Sequence, residues 1–263
     1  MKIATYNVWN SNIEIREEQL IQEINNIDAD IIGLQEVPPL FFQYLKEHII
    51  YDYSVYFTYN GQEEGLAFLS KYPINSSVFL YEKPEFNNSL ALNIVIEING
   101  IRYSVTNVHL PWDSAIEKEK QIVSIDNYIH SQKDMVDFSI LLGDFNCTEN
   151  SSVHNYLLGN QSLMGYEAKP YWNDLASVHA ALNGYKVIPT LDFINNPRWG
   201  GKNTNYIPDS CDRILILEPY NWDNEFILKN VGVFGKNVSL KTGFAPSDHY
   251  GLFSEVDFKK YKR

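Results

Sequence analysis

Apolar residues along this chain come in short runs, and most runs close on a polar side chain or a turn. The first, residues 2–8, has the length of a single strand. Ile13, Leu20, Ile21 and Ile24 then recur on roughly one face of a 3.6-residue period, which predicts a helix. After Asp30, Ile31-Ile32-Gly33-Leu34 predicts a buried strand that finishes on Gln35-Glu36 and stops at Pro38-Pro39. From Tyr53 to His109 the pattern is all β. Strands are predicted over 53–58, 66–70, 77–81, 90–98 and 102–109, with breaks at Asn60-Gly61, Lys71-Tyr72-Pro73 and Asn99-Gly100. Asn-Gly between two apolar runs signals a tight hairpin, because both residues tolerate positive φ.

A helix is predicted over 114–131, with Ser114 as N-cap, Glu117 as its capping-box partner and Ile122, Ile125 and Ile129 as a buried stripe. Phe138-Ser139-Ile140-Leu141-Leu142 is a buried strand leading into Gly143-Asp144-Phe145-Asn146. Residues 166–209 read as loop with one helix near 174–182, and 213–217 and 250–256 as the last strands. Helices alternating with antiparallel hairpins predict an α/β layered sandwich. No repeat, low-complexity block or linker divides the pattern. One domain is therefore expected over 1–258, followed by a solvated basic tail, 259–263.

Composition excludes several classes. With 44% hydrophobic and 21% charged residues over 263 positions, the chain is neither disordered, collagen-like nor a coiled coil. No apolar run could span a bilayer, and the N-terminus turns polar too early for a signal peptide, so a cytoplasmic protein is expected; a monomer is the expected state. Two cysteines, Cys147 and Cys211, cannot build a disulfide framework or a thiolate zinc site. The net charge of -12, from 33 acidic against 21 basic residues, argues against tight binding to duplex DNA, which needs a basic stripe.

Five segments share one grammar, an apolar strand followed by polar side chains at its end: Thr5-Tyr6-Asn7, Gln35-Glu36, Asn107-Val108-His109-Leu110, Gly143-Asp144-Phe145-Asn146 and Ser247-Asp248-His249. Asp212-Arg213 opens a further strand. Carboxylates and amides grouped this way can hold a hard divalent cation, and a histidine beside them can orient a phosphate and activate water. Taken singly, each has a structural explanation: Asp144 and Asn146 suit a turn, Asp248 a cap, and His109 a hydrogen-bonded strand interior. Gly-x-Ser-x-Gly, His-Glu-x-x-His and the Walker A pattern are absent, which removes the competing hydrolase and nucleotide-binding chemistries.

In content and order these motifs resemble the endonuclease/exonuclease/phosphatase superfamily, with the tyrosyl-DNA phosphodiesterase 2-like and neutral sphingomyelinase-like branches nearest. The resemblance implies a four-layer sandwich of two mainly antiparallel β-sheets flanked by helices, and magnesium-dependent hydrolysis of phosphoesters, with manganese as an alternative ion. It implies that Glu36 is the principal metal ligand, with Asn7 beside it and Asp248 as a further metal-site or water-orienting group. Asp144 would orient or deprotonate the attacking water, Asn146 donate to the transition state, and His249 contact the scissile phosphate under the orientation of Asp212. His109 would contact a phosphate oxygen. The expected substrate is a small phosphoester or single-stranded nucleic acid. A sphingomyelinase-type or inositol-phosphate phosphatase activity, or an inactive binding member of the family, are the alternatives. Trp9, Trp112, Tyr171, Trp172 and Trp199 are expected at the rim as stacking surfaces, with Trp9 and Trp172 alternatively filling core.

Overall fold

The computed structural model describes residues 1–59, 63–80, 90–169, 172–200, 206–219 and 223–261. Among the described residues, twelve strands form two six-stranded sheets. The first contains β1 (Lys2–Asn7), β2 (Ile31–Val37), β3 (Tyr53–Thr58), β4 (Gly65–Ser70), β11 (Asn224–Phe234) and β12 (Gly251–Lys260), in the order β11-β12-β1-β2-β4-β3. The second contains β5 (Ile74–Phe79), β6 (Ala91–Ile98), β7 (Ile101–His109), β8 (Phe138–Asp144), β9 (Trp172–Asp174) and β10 (Asp212–Leu217), in the order β5-β6-β7-β8-β10-β9. In each sheet the central pair is parallel, β1 with β2 and β7 with β8, and the other pairs are antiparallel. A parallel pair needs a crossover. Here α1 (Glu17–Ile27) connects β1 to β2 and α3 (Ala115–Gln132) connects β7 to β8.

Strand alternation sorts the apolar residues into three cores. Ile3, Ile31, Phe68, Val105, Ile140, Leu142, Ile214 and Ile216 pack between the sheets. Ala4, Ile32 and Leu34 face Leu20 and Ile24 of α1 and Phe41 and Leu45 of α2 (Pro39–His48). Val108, Leu141 and Leu215 face Ile122, Ile125 and Ile129 of α3 and Val153 and Tyr156 of α4 (Ser152–Leu157). This is the four-layer sandwich.

Several local expectations need adjusting. The strand expected at 77–81 lies at Ile74–Phe79, and residue 81 falls outside the described residues, as do Asn60-Gly61 and Tyr171. Helix α2 begins where Pro38-Pro39 had marked only a stop, because Pro39 occupies a first-turn position that lacks a partner for its N–H anyway. Strand β11 was not expected at all. Strand β12 continues through Lys260, so the expected tail is partly sheet: Lys259 pairs with Glu225 at 3.6 Å and Lys260 with Asp137 at 2.9 Å. Ser114 does cap α3, its Oγ accepting the Glu117 N–H at 3.3 Å, while the Glu117 carboxylate binds Lys120. No helix among the described residues is long and apolar enough to cross a membrane.

Candidate active site

The polar strand ends come together because of parity. Asn7 follows Ile3 and Thr5 on the face of β1 toward the other sheet, His109 follows Val105 and Asn107, Asp144 follows Ile140 and Leu142, and Asp212 precedes Ile214. Each therefore continues the inter-sheet core at the point where apolar residues give out. Register completes the grouping, since Asp144 is paired with His109 on one side and Asp212 on the other.

Glu36 needs a separate device. In regular alternation it would share the helix-covered face with Ile32 and Leu34. The register of β2 against β4 shifts between Leu34 and Val37, so Val37 takes that buried position, and Glu36 leaves the ladder at φ 55°. Its carboxylate then accepts from Asn7 Nδ2 at 2.8 Å and from the Asn10 N–H at 3.2 Å. Trp9, at φ 55°, and Asn146, at φ 46°, are also left-handed, so backbone strain of about 1–3 kcal/mol per residue gathers in the site loops. Gly143 precedes Asp144 at φ 136°, and a Cβ there would stand 2.0 Å from the Val108 carbonyl oxygen, which only glycine avoids.

Asp144 is the hub. Its Oδ2 accepts from Asn7 Nδ2 at 3.0 Å, and lies 3.8 Å from His109 Nε2 and 3.9 Å from His249 Nε2. Its Oδ1 accepts the Asn146 N–H at 2.8 Å. Asn146 Nδ2 donates to the Leu110 carbonyl at 2.9 Å and is held only loosely, at 3.3 Å, by Asp144. His249 Nδ1 lies 2.9 Å from Asp212 Oδ2. Burial works against an imidazolium, but Asp212 and Asp144 outweigh it and raise the His249 pKa well above its ordinary value. Burial pushes Asp248 up, eased by His249 and reinforced by Glu36. It pushes Glu64 up as well, with Glu36 adding to the effect.

Residues absent from the sequence reading hold this group in place. Arg16 is buried and donates to the carbonyls of Val8 at 2.6 Å, Pro246 at 2.5 Å, Ser11 at 2.9 Å and Trp9, tying the loop after β1 to the Ser247-Asp248-His249 turn. Burial lowers its pKa to about 10. Thr190 Oγ1 accepts the N–H groups of Cys211 and Asp212, both at 3.1 Å. Asn196 Nδ2 donates to the carbonyls of Ser247 and Asp248, both at 3.0 Å. The Tyr59 hydroxyl lies 3.2 Å from His109 Nδ1; burial holds the phenol protonated, so it can donate there and leave an N–H on Nε2 facing Glu36 and Asp144. Beneath the site, Gln35 donates to Asn107 Oδ1 at 2.6 Å and Asn107 to the Leu34 and Ala67 carbonyls at 3.0 and 3.1 Å, joining the two sheets.

The aromatic residues separate. Trp112 is 79% exposed, whereas Trp172 is buried with its Nε1 donating to Asp126 at 2.8 Å, so Trp172 is core rather than rim. Trp199 Nε1 donates to the Asp248 carbonyl at 3.2 Å. Cys147 and Cys211 are buried and free, and burial pushes the Cys211 thiol far up.

Two histidines thus meet clustered carboxylates at the rim of a two-sheet core. The chain belongs to the Endonuclease/Exonuclease/phosphatase family, whose sequence model matches residues 4–249 and whose members hydrolyse phosphoesters. It is 25% identical, over an alignment 293 positions long that covers 96% of its length, to a probable CCR4-Not complex 3'-5'-exoribonuclease subunit Ccr4 of Vairimorpha ceranae (strain BRL01). The chain spans 60% of that protein's length. Among solved structures, TDP2 of D. rerio complexed with a single-strand DNA product superposes with a TM-score of 0.73 at 18% identity, covering 98% of both chains. A mannosyl-6-phosphatase of Bacteroides thetaiotaomicron VPI-5482 gives 0.72 at 17% identity, covering 98% of this chain and 100% of that one. A functionally unknown conserved protein of Enterococcus faecalis V583 gives 0.73 at 22% identity, covering 98% and 99%. At these identities the structural likeness establishes the fold.

Proposed function

We propose that the protein is a divalent-metal-dependent phosphoester hydrolase in which water attacks phosphorus, acting on a small phosphoester or single-stranded nucleic acid. The observation that carries this reading is the arrangement around Asp144, with His109 and a carboxylate-bound His249 within 3.9 Å of one carboxylate oxygen and Asn7 joining that carboxylate to Glu36. The relatives, a probable exoribonuclease subunit, a TDP2 complexed with a single-strand DNA product and a mannosyl-6-phosphatase, support the reaction class and span several substrates.

The donor set suits a hard cation. Glu36, Asp144 and Asp248 offer oxygen ligands, and the upward pressure of Glu36 on Asp248 and Glu64 reflects negative charge that a bound cation would relieve. Asp144, Asp212 and His249 also present ligand atoms within 4.8 Å of one another. His249 is better read as a cation bonded to Asp212, however, and an imidazolium has no lone pair for a metal. Asn7 presents its NH₂ to Glu36 and Asp144, while its carbonyl accepts the Trp9 N–H at 2.9 Å. We therefore assign Glu36 and Asp248 to the metal and make Asn7 the clip that aligns Glu36 with Asp144. A magnesium or manganese ion there would neutralise phosphoryl charge and acidify a nearby water.

The chain's own groups supply the remainder. Asp144 accepts the proton of the attacking water. His249, held protonated by Asp212, and His109, with its N–H on Nε2, donate to the phosphoryl oxygens. Asn146 adds the amide hydrogen that Asp144 holds loosely. Phosphoryl transfer is mainly positioning and charge neutralisation, which these donors provide.

The test is calorimetric titration of magnesium and manganese into native and Glu36→Gln protein, with turnover of bis-p-nitrophenyl phosphate measured with metal and with chelator. Native protein should bind metal and turn over only with it. Glu36→Gln should lose about a hundredfold or more in rate while melting within a few degrees of native, since the amide keeps the shape of the side chain and an oxygen to accept from Asn7. Full activity in chelator, or unaltered metal affinity in the variant, would overturn the assignment.

A further inference from the structure

One cation at the rim of the site has hydrogen-bonding capacity that the fold does not use. Arg198 lies in the turn Pro197–Trp199, which is fastened to the Ser247-Asp248-His249 segment through Asn196 and Trp199. Its own N–H donates to Asn196 Oδ1 at 3.1 Å, and its Nε to the Ala245 carbonyl at 2.7 Å. The guanidinium lies over the rings of Trp9 and Phe244, 5.1 and 5.4 Å from their centroids. These contacts fix the plane of the fork. The two terminal NH₂ groups have no partner among the described residues, and Asp248, which acts on Arg198 electrostatically, forms no ion pair with it within 4 Å.

The other arginines near the site are committed elsewhere. Arg16 donates to four carbonyls. Arg213 is buried against Asp174, at 2.8 Å, and the Cys147 carbonyl, at 3.1 Å. A groove of about 780 Å³ beside Asn10, whose N–H binds Glu36, is lined by Glu14, Glu17 and Glu63. That groove repels anions, whereas a rigid guanidinium with both NH₂ groups free matches the geometry of a phosphate.

We propose that Arg198 anchors a second phosphate on the substrate, beside the phosphoester that is hydrolysed. This rests on the phosphoester-hydrolase reading above and narrows its substrate class to bisphosphorylated small molecules or short strands in which a second phosphate adjoins the scissile one. The uncharged part of such a substrate would extend into the acidic groove.

The experiment compares thymidine 3′,5′-bisphosphate with thymidine 5′-monophosphate by calorimetric titration in saturating magnesium, using native protein, Arg198→Ala and Arg198→Lys. Native protein should prefer the bisphosphate by about tenfold or more, the value of one charge-assisted contact. The preference should collapse to about twofold or less in Arg198→Ala and be partly kept in Arg198→Lys, which retains charge but loses the fork. The ratio of two affinities in one variant cancels any general loss of folded protein, and Arg198→Lys serves should Arg198→Ala fail to fold. A preference unchanged in Arg198→Ala, or no preference in native protein, overturns the proposal. Equal weakening of both ligands overturns it too, and makes Arg198 a screening partner for Asp248. Absence of any phosphoester turnover by native protein would defeat the broader reading, and the affinity ratio would still decide the role of Arg198.

Discussion

At the scale of single residues, the site depends on side chains whose protonation and direction are set by the groups they touch. Asp212 and His249 are the clearest case, 37 positions apart and bonded at 2.9 Å. Asp212→Asn keeps a partner for the imidazole but removes the charge that favours its cationic form, so it should cost less activity than His249→Ala, which removes the donor. Because the pair acts as a unit, the double variant should lose little more than His249→Ala alone. Rates for both singles and the double under saturating magnesium would test this, and additive free-energy losses would mean that the residues work independently. The strand-end pattern marked both residues in the sequence, and their pairing was implied by the family resemblance rather than by the pattern. Arg16, Tyr59, Thr190 and Asn196 were not. Arg16, Thr190 and Asn196 act on backbone carbonyls and N–H groups, which a sequence pattern does not display, and Tyr59, though it follows a strand, meets its partner His109 only across 50 positions.

Whole elements were legible where one period persisted. Strands β6 and β7 meet at Asn99-Gly100 as the hairpin signal required, and α3 carries its isoleucine stripe. Strand β11 was missed because a bulge between Leu228 and Asn230 changes its parity: Phe226 and Leu228 face the core before it, Val231 and Val233 after it. Strict alternation is broken at one residue, and the pattern dissolves. Behind the site, Asp174 caps α5 (Leu175–Asn183) with Oδ1 and holds Arg213 at 2.8 Å and His154 at 3.0 Å with Oδ2. Burial opposes its ionisation, but these partners prevail and lower the Asp174 pKa from 3.8 to about 2. The sign follows directly: a depressed carboxyl stabilises the fold above its unfolded pKa and loses that contribution as pH falls toward 2. The full contribution is about 2 kcal/mol, and about 1 kcal/mol of it should be gone by pH 3. Asp174→Asn keeps the cap but strands the Arg213 charge, so it should cost about 3 kcal/mol at neutral pH and flatten stability between pH 5 and pH 3. Urea denaturation across that range measures both. An unaltered pH slope would show that Asp174 is not the group responsible.

Across the whole molecule, two strand–helix–strand crossovers build the two sheets so that polar strand ends meet at one rim of a shared core. The charge distribution then bears on what can reach that rim. The chain carries a net charge of -12, and the lysines of its C-terminal strand are engaged by Glu225 and Asp137 rather than free for phosphates. The groove beside Asn10 is acidic, and Arg198 offers one cationic fork rather than a stripe. A duplex lays down many phosphates at fixed spacing and gains affinity by releasing counterions at each cation it meets. With so few cations available, a duplex of twenty base pairs should bind more weakly than about 10 μM at physiological salt, and the logarithm of its affinity should fall with a slope of about 2 or less against the logarithm of salt concentration. Fluorescence anisotropy over a salt series, with the active site disabled by Glu36→Gln, gives both quantities. Sub-micromolar duplex binding at physiological salt, or a slope of about 6, would mean that the net negative charge is not the controlling feature and that the substrate is long DNA after all.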